Sequence, residues 1–203
     1  MFIETIDLLR CPREHEETWL VAAFTKMNGR FVVEGSLGCP ICEATYLIEN
    51  GIADFAGQSS PPATKSSNQS EDPEKAIRLA AFLNLVRPGS TVVLEGDQGV
   101  HAAAIANITQ CRVIVLNPSH DVIETEQTST IHAGARIPLG TSTVDGVAAM
   151  TATIIADAAR VLKPGSRLVA PASLPLHPGL TELARDDTSV VAEAAGPLIR
   201  LSR

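Results

Sequence analysis

The sequence predicts an α/β protein, in which a mostly parallel sheet with an antiparallel edge hairpin follows a small β-rich N-terminal unit. Three observations carry that expectation. Short apolar runs at 92–94, 113–116, 144–150 and 167–170 alternate with helix-like stretches at 101–108 and 152–162, and this alternation implies right-handed crossovers between parallel strands. Residues 57–73 are rich in Ser, Pro, Gln and Asn and lack apolar periodicity. Such a segment cannot offset its ordering entropy, so it reads as a linker between units of 1–56 and 74–203. Ahead of it, strand-like runs at 19–24 and 30–34 flank the turn signal Met27-Asn28-Gly29.

Each element after the linker has its own signal. Residues 74–86 place Ile77, Ala80, Ala81 and Leu85 on one helical face, with Pro73 near the first turn and Arg87-Pro88-Gly89 as the stop. The spacing then predicts a strand over 92–94, a helix over 101–108, a strand over 113–116 and a helix over 120–127. A strand over 144–150 leads to a helix over 152–162, stopped by Lys163-Pro164-Gly165, and a strand over 167–170. The tail reads as a helix over 180–185, then a hairpin of 189–193 and 198–202 about Ala195-Gly196-Pro197.

Composition narrows the function classes. With 203 residues, 45% of them hydrophobic, the chain can bury one substantial core and a small satellite. A net charge of −7 without any basic run disfavours nucleic acid as a direct ligand, because phosphate binding needs clustered Lys and Arg. Aromatic residues are only 3% of the chain, which leaves little from which to build a base-stacking platform. The apolar runs are too short to span a membrane, and a cytoplasmic location is the expectation. Cys111 precedes an apolar run and reads as a buried small residue. His101, His120, His132 and His177 share no spacing, and Asp186-Asp187 reads as a solvated helix end. Ser119 and Ser142 lack any nucleophile-elbow context.

Cys39-Pro40-Ile41-Cys42 is the sharpest chemical motif, since two thiols on a tight turn are half of a zinc knuckle. Upstream stands Cys11-Pro12-Arg13-Glu14-His15, with no second cysteine three residues after the first. Together with Leu8-Leu9 and the run Tyr46 to Ile52, these motifs resemble the small zinc-ribbon proteins that activate tRNA- and ribosome-modifying methyltransferases, and their stand-alone bacterial relatives. The family's missing cysteine falls at Glu14. The resemblance therefore implies either a zinc set of Cys11, His15, Cys39 and Cys42, of ordinary ligand types, or the same fold without a metal.

A second set of motifs covers 74–203. Ile137 to Val147 and Ala159 to Val169, with Val115-Leu116-Asn117-Pro118-Ser119 and 92–102, look like a class I S-adenosylmethionine-dependent methyltransferase domain. That likeness implies a Rossmann-like sheet, with the cofactor held by a glycine-rich turn after the first strand and an acidic residue after the second. The candidate cofactor residues of this chain are Glu95, Gly96, Gly99 and Asn117. Asp97 and His101 replace two of the family's glycines, Asn117 lacks the charge of the expected carboxylate, and Gly134-Ala135-Arg136 has no acid for the adenine. After the fourth strand, Ala148 to Ala152 lacks the Asn or Asp with prolines and an aromatic that holds a target nitrogen, so no catalytic residue is assigned. Two functions follow. The favoured one is a pseudo-enzyme, a binding or scaffolding module for another methyltransferase or for a second copy of itself. The alternative is an active methyltransferase with a rewired cofactor loop and an unknown substrate.

Overall fold

The N-terminal unit forms around two hairpins. Strands β1 (Val21–Asn28) and β2 (Phe31–Gly38) pair antiparallel across the anticipated turn, with Asn28 opposite Phe31. Strands β3 (Thr45–Glu49) and β4 (Ile52–Asp54) are joined by Asn50 and Gly51, both at positive φ (51° and 83°). An Asn-Gly pair takes this mirror-image turn at little cost, and its twist matches the strands it joins. The structure, a computed structural model, describes residues 1–57 and 72–196.

The second unit supplies seven strands: β5 (Thr91–Glu95), β6 (Arg112–Leu116), β7 (Thr128–His132), β8 (Val144–Ala148), β9 (Leu162–Pro171), β10 (Leu180–Arg185) and β11 (Ser189–Ala194). Helices α1 (Pro73–Phe82), α2 (Ala102–Thr109) and α3 (Ala152–Val161) accompany them. Asp72 caps α1 by accepting from the Glu74 and Lys75 amides, and Thr151 caps α3 through Ile154. Strands β5 to β9 are parallel in the order β7-β6-β5-β8-β9, and β11 and β10 close that side as an antiparallel hairpin. The order reverses direction between β5 and β8, as in a Rossmann-like methyltransferase sheet. The alternation along β6 shows how the core divides. Val113 and Val115 pack with α1 and α2 on one face, while Ile114 and Leu116 pack on the other with α3 and the N-terminal unit.

The sheet runs on into the N-terminal unit. Strand β4 pairs parallel with β7, Ala53 opposite Ile131, and one 11-stranded order results, β1-β2-β3-β4-β7-β6-β5-β8-β9-β11-β10. Leu9, Leu37, Ile48 and Ala53 share a core cluster with Ile131, Leu139 and Ile154. The Met1 ammonium is buried between the Val32 carbonyl and Glu124, 3.4 Å away. Independent folding of 1–56 and 74–203 remains a proposal, and most of the 57–73 linker lies outside the described residues. With this seam between them, a nick within 58–71 is expected to leave two pieces that elute together from a sizing column. Separation without denaturant would show that each unit stands alone.

Three sequence expectations need correction. Residues 180–185 form strand β10 rather than a helix, because pairing with β11 satisfies their backbone. Residues 120–127 contain no helix. Glu124 instead folds back to accept the Thr130 amide at 2.6 Å and face the Met1 ammonium. Strand β7, Thr-Ser-Thr-Ile-His, has no counterpart in the sequence expectation, since its first three side chains are polar yet buried. The edge hairpin is built from other arms than expected: 189–194 pairs with 180–185 on one side and with β9 on the other, instead of with 198–202, which lies outside the described residues.

Candidate functional site

The β2–β3 connection builds half of a metal centre. The Cys39 amide donates to the Ala44 carbonyl at 2.8 Å, the Glu43 amide to the Cys39 carbonyl at 3.0 Å, and Glu43 takes a left-handed φ of 59°. This winds the loop around the Cys39 sulfur. Burial pushes the Cys39 thiol up, but amides of Cys42 and Ile41 donating to it, with the neighbouring Cys42 and Cys11 thiols, outweigh that and bring it down to about 7. Cys11 itself is pushed up, chiefly by burial.

The other half comes from the segment after the 3-10 helix Ile3–Leu8. Leu9 bridges to Leu139, Arg10 bridges to Trp19, and the Arg10 amide donates to the Pro138 carbonyl at 3.0 Å. These contacts deliver Cys11 and His15 to the knuckle. The Cys11 and Cys42 sulfurs are 3.7 Å apart, and His15 Nε2 lies 3.1 Å from Cys11 Sγ and 3.4 Å from Cys39 Sγ. All four ligand atoms lie within 4.8 Å of one another. Tetrahedral zinc, with Zn–S of about 2.3 Å and Zn–N of about 2.0 Å, sets sulfurs about 3.8 Å apart and sulfur from nitrogen about 3.5 Å apart. The donor set fits. His15 Nδ1 sits 2.6 Å from the Glu16 carbonyl, which orients the ring so that Nε2 faces the sulfurs. Sequence reasoning missed Tyr46, whose hydroxyl lies 3.2 Å from Cys11 Sγ and whose own ionisation is pushed up by burial and by that thiol.

The same segment grips the loop between β7 and β8. Glu17 accepts from the Thr141 amide and hydroxyl at 2.8 Å each, and burial, opposed more strongly by those bonds and by Arg10 and Arg160, leaves its carboxyl below the usual range. Arg160 spans the loop from below, donating to the Leu139 and Ile137 carbonyls and to Asp157, which accepts the Ile137 amide at 2.7 Å. Arg136, at the position expected to face an adenine, lies 3.9 Å from Asp157.

The four candidate cofactor residues gather at the carboxyl ends of β5 and β6, but Glu95, Gly99 and Asn117 are engaged in the fold. Glu95 is buried, and its carboxylate accepts from the Met150 amide (2.6 Å), the Thr151 amide (3.0 Å) and the Thr151 hydroxyl (2.7 Å). It thereby ties β5 to the start of α3. Residues Gly96–His101 coil into a 3-10 helix that starts at a left-handed Gly96, φ 58°. Gly99 serves packing: a Cβ there would lie 2.6 Å from Val115 Cγ1, against β6. Asn117, at φ 48°, donates from Nδ2 to the Ala133 carbonyl (3.0 Å) and accepts at Oδ1 from the Ala133 amide (2.9 Å). The side chain thus acts as one more rung beyond β7, a role that needs an amide's paired donor and acceptor.

Four other candidates have structural surroundings. Asp97 accepts from Ser119, and His120 packs beside Gly99. Asp186 sits in the β10–β11 turn rather than at a helix end. The hydroxyl and amide of Thr188 and the amide of Ser189 hold its carboxyl down to about 2. Cys111 is fully buried. Among the described residues, no helix is long and apolar enough to cross a membrane.

No protein-family model matches this sequence, and no curated protein matches it. Among solved structures, the geranyl diphosphate C-methyltransferase from Streptomyces coelicolor A3(2) aligns over 55% of this chain and 51% of its own, at 14% identity and a TM-score of 0.40. The cyclase SpnF aligns over 62% and 65%, at 13% identity and a TM-score of 0.43. The antibiotic-resistance methyltransferase Kmr aligns over 65% and 97%, at 13% identity and a TM-score of 0.42. This chain therefore spans about half the length of the geranyl diphosphate C-methyltransferase that it resembles.

Proposed function

We propose that this chain is a methyltransferase-like pseudo-enzyme, a binding or regulatory module whose N-terminal unit carries a structural zinc. The partner would be another methyltransferase or a second copy of the chain. One observation supports the loss of the usual cofactor role: Asn117 is turned onto Ala133, giving one Nδ2 hydrogen to its carbonyl and accepting its amide at Oδ1. A ribose would be left the amide's second N–H and second lone pair, in an orientation fixed by the Ala133 pair, and would meet no charge there. Glu95 is held by three donors in the same way. Re-aiming either side chain toward a ribose would cost about 1–3 kcal/mol per buried group left unsatisfied, which would subtract from the binding energy.

The zinc reading rests on the converging donors Cys11, His15, Cys39 and Cys42. Four protein ligands make a closed site, and closed sites hold folds together rather than activate water. Zinc there would supply cross-linking between the knuckle and the segment that grips the β7–β8 loop. Cys39, already drawn toward thiolate by its backbone donors, is prepared for the role.

Calorimetric titration with S-adenosylmethionine and S-adenosylhomocysteine tests the pseudo-enzyme assignment. Dissociation constants weaker than about 1 mM, equivalent to about −4 kcal/mol, are expected for both. Micromolar or tighter binding, about −8 kcal/mol or better, would make an active methyltransferase with a rewired loop the better reading.

A further inference from the structure

The crevice where the strand order reverses still contains a cavity, displaced to the β8–β9 side of the engaged cofactor residues. Its volume is about 240 Å³. The floor is formed by Ala149 and Met150 after β8 and by Ala170 and Pro171 at the end of β9. The buried imidazole of His101 and the Gln98 amide line the side nearest β5, and Phe82 and Leu79 of α1 add an apolar wall. In open α/β sheets, ligands bind in this place, outside the carboxyl ends of the strands at the reversal point.

The charge of the lining is the informative feature. Acidic residues outnumber basic ones in the chain, 23 to 16, yet among the described residues the fully charged side chains that line this cavity are Lys75 and Arg78, with no Asp or Glu in the lining. Both project from one face of α1, three residues apart, and the Arg78 guanidinium lies 5.9 Å from the Phe82 ring centroid, over an apolar wall. Lys75 also pairs with Asp72 at 3.6 Å, an exposed contact that an anion can displace at little cost. A half-apolar cavity with two cations at its mouth selects a small molecule with an apolar body and one negatively charged group.

From this we infer that the cavity is a binding site for a small organic anion, a carboxylate carried on an apolar ring or short chain. The inference deepens the binding-module reading and rests on it. The ligand enters apolar end first, against Met150, Val169 and Phe82, and leaves its carboxylate between Lys75 and Arg78.

Benzoate is a suitable probe, with benzyl alcohol as its neutral counterpart and sodium chloride at matched ionic strength. Benzoate at about 20 mM is expected to raise the thermal midpoint by about 3 °C, with neither control matching it. It should also shift the amide resonances of Gln98, Met150 and Ser189. The double variant Lys75→Ala/Arg78→Ala changes two exposed positions while Ala76, Leu79 and Ala80 keep α1 anchored, and it should lose at least two thirds of the shift. Circular dichroism checks that it folds. Equal shifts with benzyl alcohol or chloride, or an undiminished benzoate shift in the double variant, would overturn the inference. The titration with S-adenosylmethionine fails or succeeds independently of this outcome, so the two readings can fall separately.

Discussion

Purified protein is expected to contain about one zinc per chain, and Cys39→Ser is expected to remove it along with about 4 kcal/mol of stability. The estimate follows from position. Cys39 is buried, closes the knuckle through its amide, and lies 3.4 Å from His15 Nε2. Loss of the ion would leave the sulfurs of Cys11 and Cys42 and the His15 ring crowded together without the charge that holds them. The damage would spread, because Leu9, Arg10 and Glu17 on the same segment pin the β7–β8 loop. In a chain of this size, about 4 kcal/mol lowers the thermal midpoint by about 10 °C. Elemental analysis and melting curves with and without a chelator measure both quantities. A chelator-naive protein without zinc, melting no higher than Cys39→Ser, would remove the metal from the account.

Asn117→Asp is expected to destabilise the protein by about 2–3 kcal/mol at neutral pH, although aspartate is the residue a cofactor-binding methyltransferase would place there. One carboxylate oxygen can still accept from the Ala133 amide, but the other would face the Ala133 carbonyl where Nδ2 now donates at 3.0 Å. Two acceptors would then oppose each other at a half-buried position. The fold would favour the protonated acid, so the introduced carboxyl's pKa would be raised above its unfolded value of about 3.9. Relative stability is therefore retained below pH of about 4 and lost as the pH rises through the raised folded value. Comparing thermal midpoints of variant and parent at pH 4 and pH 7.5 measures this directly. A variant as stable as the parent at neutral pH, with new affinity for S-adenosylmethionine, would show that Asn117 is a weakened ribose ligand rather than a rung of the sheet.

Much of the architecture was legible because burial imposes a period on the chain. Val92 to Leu94 and Val113 to Leu116 are apolar on both faces, as parallel strands between two layers must be. Strand β7 escaped for the opposite reason. Its polar side chains are buried through distant contacts, Ser129 Oγ against Thr5 at 2.9 Å from the N-terminal unit, so in sequence the strand is as polar as a loop. Residues 180–185 failed because Leu180, Leu183 and Ala184 fit a helical face as readily as an edge strand, and only the register with β11 decides between them.

The sequence by itself determined the chemistry on offer: a Cys-x-x-Cys turn, an Asn where a carboxylate was expected, and too few glycines for a cofactor loop. These are matters of residue identity, and identity limits which atoms can donate, accept or approach. The tertiary structure alone decided what those atoms are used for. Cys11 and Cys39 are 28 positions apart and share a site only because the Leu9–Leu139 bridge and the β2–β3 loop bring their segments together. Asn117 and Ala133 meet only because β6 and β7 run side by side. The β4–β7 pairing that makes the two units one sheet is made by backbone hydrogen bonds, which nearly every residue can form, and so the pairing itself leaves no mark in the sequence.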